Sequence, residues 1–142
     1  MNKFFARLIM IFATVTALVP AVRADILISE LCDPRTDYLT DRYIEIYNSG
    51  ASVVDLTGWQ IIAVGNSSDI FTWNLSGTID PGDALVAGDL NTVDVFTVDF
   101  PADAWSASDA TWNGNVGDGA RLKNDLGVIT DNIVVPANNF EN

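Results

Sequence analysis

The chain of 142 residues has no histidine, one cysteine, and nineteen carboxylates against seven lysines and arginines. Chemistry, if it occurs here, would fall first to the carboxylates. Glu45 stands between two isoleucines in "YIEIYN" (43–48), and Glu30 ends "ISE" (28–30). Two such groups brought together could act as general acid and general base. A serine, threonine or cysteine nucleophile would need a neighbouring base, most often histidine. With no histidine, and with Cys32 alone near the start of the domain, that class is disfavoured. Zinc lacks its usual ligands for the same reason. "GDGARL" (117–122) is not a phosphate loop, because it lacks the Gly-Lys-Ser/Thr ending and a helix after it.

Calcium is the one metal the chain invites, since it accepts carboxylate, amide and carbonyl oxygens. Asp33, Asp37 and Asp41 recur every four residues in one polar segment, and Asn113, Asn115 and Asp118 sit in a glycine-rich one. Neither follows the alternate-position pattern of an EF-hand, and both are also what solvated turns look like. No cofactor is required by the sequence. Among the four tryptophans, Trp59 and Trp73 fall in strand-like runs and read as core. Trp105 and Trp112 fall in the least regular segment, so they are the candidates for an exposed sugar-binding platform; the competing reading packs them over one end of the domain. "NSS" (66–68) and "NLS" (74–76) fit a glycosylation pattern that matters only in a host that uses it. Cys32, beside Leu31, reads as a buried small hydrophobe.

The elements that must position these residues are strands. Apolar runs recur between turn clusters: "ILISEL" (26–31), "YIEIYN" (43–48), "VVDL" (53–56), "GWQIIAV" (58–64), "IFTWNL" (70–75), "ALVAG" (84–88), "VDVFTVDF" (93–100), "ARLKN" (120–124) and "VITDNIVV" (128–135). The last two flank "DLG" and read as a closing hairpin. In "YIEIYN" the alternation sends Ile44 and Ile46 to one face and Tyr43, Glu45 and Tyr47 to the other. Sixteen of the nineteen acids are Asp, which favours turns and caps over helix interiors. No segment carries a helical stripe. About eight short strands at this spacing predict an all-β sandwich or barrel.

Residues 1–24 stand apart. Lys3 and Arg7 precede a 12-residue apolar run (8–19), Pro20 breaks it, and Val22-Arg23-Ala24 supplies a cleavage site. This is the pattern of a signal peptide. The run is far short of the ~20 residues of a spanning helix. Cys32 follows no lipobox. The remaining 25–142 form one domain, long enough to bury about two thirds of its unfolded surface. That domain keeps all nineteen acids but only Arg35, Arg42, Arg121 and Lys123, a formal charge of −15. Such a surface repels nucleic acid and anionic membrane.

The opening stretch then leads through "VDLTGWQI" (54–61) to Trp59, large enough to plug a small sandwich. Together with "ISE" (28–30), "IDPGDALVAG" (79–88) and "NVGDGARLKNDLGVITD" (115–131), it resembles the lamin-tail domain family, in order and over nearly the whole domain. The resemblance implies an immunoglobulin-like β-sandwich of about eight strands in which Glu45 and Trp59 are structural positions. A glutamate on a strand face would accept hydrogen bonds from hydroxyl or backbone donors. Nuclear lamin tails are interaction modules, and bacterial look-alikes follow signal peptides, often beside nuclease-like or phosphatase-like domains. The expected protein is therefore a secreted or cell-surface, non-catalytic module that meets a protein or a glycan outside the cell, with no nucleic acid as partner and no membrane insertion after cleavage. The alternatives are an accessory domain of a secreted hydrolase such as an extracellular nuclease, and a carbohydrate-binding module.

The leader makes a direct prediction. Intact-mass measurement of the exported protein should give a chain that begins at Asp25; an uncut N-terminus would refute the signal-peptide reading.

Overall fold

The computed structural model describes residues 26–91, 96–102, 112 and 116–134. The leader (1–24), Trp105, Asn113 and Asn115 lie outside these. The described residues form ten strands and no helix: β1 (Ile26–Cys32), β2 (Tyr43–Asn48), β3 (Val54–Asp55), β4 (Gln60–Gly65), β5 (Ser68–Asn74), β6 (Thr78–Ile79), β7 (Ala84–Asp89), β8 (Phe100–Ala102), β9 (Gly119–Lys123) and β10 (Ile129–Val134). One sheet has the order β1-β2-β7-β8 and the other β10-β9-β4-β5, while β3 and β6 make a small two-stranded ladder. The fold is an immunoglobulin-like β-sandwich.

The alternation in β2 works as its residue types require. Ile44 and Ile46 are fully buried, and Tyr43, Glu45 and Tyr47 are half-buried on the outer face. From the first sheet Ile26, Ile28, Ile44, Ile46 and Ala87 enter the core, and from the second Ile61, Ala63, Trp73, Ala120 and Leu122. Leu56 and Leu75 add to it from the connections, and Ile79 from β6. Each fully buried isoleucine or leucine contributes about 1.5–3 kcal/mol relative to an exposed one.

Two bulges bring the edges of the sheets together. The register of β1 against β2 shifts between Ile28 and Glu30, and that of β10 against β9 shifts between Ile129 and Asp131. A bulge releases backbone groups from the ladder and turns the strand. The Ile28 N–H then donates to Asp131 Oδ2 at 2.8 Å, from one sheet to the other. The second oxygen of the same carboxylate accepts the Asn132 N–H at 2.8 Å.

The aromatic residues depart from the expected assignment. Trp73 is buried and meets Phe71 edge-on, with ring centroids 4.7 Å apart. Trp59 is only half-buried and packs against the flank of the core, so it is not the central plug. It serves the backbone as well, donating its N–H to the Leu56 carbonyl at 2.9 Å and accepting the Leu75 N–H at 2.9 Å. Trp112 takes a deeper place than its irregular segment suggests. It is 6% exposed, and its indole N–H lies 3.1 Å from the Val64 carbonyl and 3.0 Å from that of Gly119. One donor thus joins the ends of β4 and β9. Beside it, Gly119 has φ +152°, and any side chain there would run into the Ile133 carbonyl of β10.

Three strand assignments shift. "VDVFTVDF" does not form one strand through 100: residues 96–99 are not strand, and β8 starts at Phe100, parallel to β7. The reason is Asp99, whose carboxylate takes the Val86 N–H at 2.9 Å while its own N–H bonds the Val86 carbonyl at 2.9 Å. A side-chain acceptor has replaced a ladder bond. "VVDL" shortens to Val54–Asp55, and its partner Thr78–Ile79 is an added strand. The β4–β5 turn is tighter than the gap between "GWQIIAV" (58–64) and "IFTWNL" (70–75): Gly65 already pairs with Ser68, leaving only Asn66 (φ 50°) and Ser67 (φ 68°) between. Two successive left-handed residues are the signature of a type I′ hairpin.

The Trp112 geometry is testable. Trp112→Phe keeps most of the buried ring but removes the shared donor, leaving the two carbonyls to be satisfied otherwise. Urea unfolding should show a loss of about 1–3 kcal/mol; a change within about 0.3 kcal/mol would mean that the indole N–H does not hold β4 to β9.

Candidate functional site

Two places gather the polar residues singled out by the sequence. The first is the outer face of the β1–β2 pair. The register places Glu30 opposite Glu45 and Cys32 opposite Tyr43. The sequence thus brings its two glutamates together, as strand pairing of "ISE" with "YIEIYN" allows. Their engagement, however, is with neighbouring hydroxyls. Glu45 Oε1 accepts the Ser29 hydroxyl at 2.6 Å, so the residue released at the bulge donates to the cross-strand glutamate. Burial, followed by a hydrogen bond to Glu30, pushes the Tyr43 phenol above its usual range. Burial, followed by the Glu30 charge, likewise pushes the Cys32 thiol up, against the smaller lowering effect of a hydrogen bond with Tyr43. Phe96 packs on Tyr43 at 5.1 Å between centroids. A thiol raised in this way is a poor nucleophile at neutral pH, because the thiolate is the reactive form.

The second place is the connection 33–42 between β1 and β2, which holds three of the calcium candidates. Asp33 accepts the Arg42 guanidinium Nε at 2.6 Å, and the Arg42 side chain is only 5% exposed. The same guanidinium lies 5.1 Å from the centre of the Tyr38 ring. Asp37 adopts φ 57°, and its carbonyl accepts the N–H groups of Thr40 at 2.9 Å and Asp41 at 2.8 Å. Asp41 is buried. The three aspartates therefore have separate roles: Asp33 pairs with Arg42, Asp37 turns the chain, and Asp41 enters the interior. Their four-residue spacing does not converge on one point, because the segment is a folded turn and not a helix. Beside it a shallow groove of about 360 Å3 is lined by Asp37, Tyr38, Leu39 and Thr40.

Asp118, the described member of the other calcium group, accepts the Asn66 N–H at 2.9 Å and so braces the β4–β5 turn. Gly117 adds to that brace by accepting the Ser67 N–H at 2.9 Å. Among the described residues no three of His, Cys, Asp and Glu are grouped so as to hold a metal ion. Trp112, the described member of the proposed sugar platform, offers no open ring face, since it is buried in the core.

One position of consequence entered the sequence reading only as the last residue of "YIEIYN". Asn48 is fully buried. Its Nδ2 donates to the carbonyls of Ser52 at 2.9 Å and Ile79 at 3.0 Å, and its Oδ1 accepts the Gly50 N–H at 2.9 Å. The signal was its place at the end of an apolar alternation, where an amide must find partners once buried.

The lamin tail domain family model matches residues 20–136. The chain belongs to the lamin tail domain family. The match spans both sheets, the 33–42 connection and the Trp112 brace, so every arrangement above lies inside the family domain. No curated protein matches the chain.

The outer-face geometry makes a prediction about Cys32. Because its thiol is raised above its ordinary value, less thiolate is present at pH 8 than on an unstructured cysteine. Alkylation by iodoacetamide should be slower in the folded lamin-tail domain than in urea at that pH. An equal or faster rate in the folded state would contradict this environment.

Proposed function

We propose that this lamin-tail domain is exported, matured at Asp25, and works outside the cell as a non-catalytic binding or structural module. The observation that carries the reading is how the polar side chains are engaged. Ser29 bonds Glu45, Arg42 bonds Asp33, and Asp131 ties the two sheets. These are bonds that stiffen a scaffold, and a stiff scaffold loses little entropy when it binds. The 33–42 connection is the surface we assign to partner contact. It is held by the Arg42–Asp33 pair, presents Leu39 to solvent, and lines the shallow groove. Loops fixed on a rigid sandwich are where binding residues concentrate.

The partner is a protein or a glycan. Four basic residues against nineteen acids in 25–142 give too little positive charge to displace counterions from DNA. Two of the four are also committed: Arg42 to Asp33, and Arg121 to Asp69 across β9 and β5. Calcium is not needed for the fold in this reading; it could screen the acidic loops and so strengthen a contact.

The domain 25–142 should show no salt-sensitive DNA binding at physiological ionic strength, with or without calcium. On a glycan array, or against extracellular proteins of the source cell, binding should be weakened by Leu39→Ser. Micromolar DNA binding without metal would overturn the proposal and favour a role beside a nuclease.

A further inference from the structure

We draw no further inference here: the strongest candidate, the exposed apolar tip of the β9–β10 hairpin at Leu126, Val128 and Ile129, is an unpartnered apolar patch, and nothing in the structure shows what covers it.

Discussion

A single buried amide, that of Asn48, sets the path of the chain at one end of the sandwich. Its side chain spends both hydrogens and one oxygen lone pair on the carbonyls of Ser52 and Ile79 and the N–H of Gly50. Its backbone bonds Asp83 and Gly82 in the turn before β7. Five contacts from one residue thus fix where β2 ends, how 49–52 turns, where β6 lies and how β7 begins. An amide buried without these partners would cost about 1–3 kcal/mol per group; with them it specifies one arrangement of the connections. Leucine could fill the volume and keep the backbone bonds to Asp83 and Gly82, but it could not bond Gly50, Ser52 and Ile79.

The remaining polar bonds close the sandwich in the same manner, each at a place where the ladder is interrupted. The bulge in β1 frees the Ile28 N–H, and Asp131 receives it. The β4–β5 turn leaves the Asn66 N–H outside the ladder, and Asp118 receives it. Trp112 serves the carbonyls of Val64 and Gly119. A strongly acidic chain can therefore be well ordered, because part of its carboxylate set accepts backbone N–H groups. Others pair with arginine, as Asp33 does with Arg42 and Asp69 with Arg121.

Strand alternation made the core of β2 legible in the sequence, because Ile44 and Ile46 are separated by the period of two that a half-buried strand demands. The hairpin of β9 and β10 was legible from its turn residues. The roles of Glu45 and Trp59 as structural positions came from family resemblance; the structure gives Glu45 a donor in Ser29 but moves Trp59 to the flank. What could not be read locally depends on distant partners. The burial of Trp112 rests on Val64, 48 residues away, and no window of sequence around Trp112 contains that information. The same holds for Asp131, whose partner Ile28 lies 103 residues earlier. The late start of β8 was hidden because Asp99 resembles any solvated strand residue until its carboxylate is seen on Val86. The aspartate triplet misled for a related reason: even spacing implies convergence only on a regular element, and 33–42 is a turn pinned by Arg42.

The polar residues in and after "YIEIYN" direct the fold, and Asn48 does so through the largest set of bonds. The direct measurement is the urea unfolding free energy of Asn48→Ala at neutral pH. Two carbonyls and one N–H would be left buried or forced to rearrange, so a loss of about 3 kcal/mol or more is predicted, with the unfolding slope unchanged. A loss below about 1 kcal/mol would contradict the account, and would place the control of these connections elsewhere in the chain.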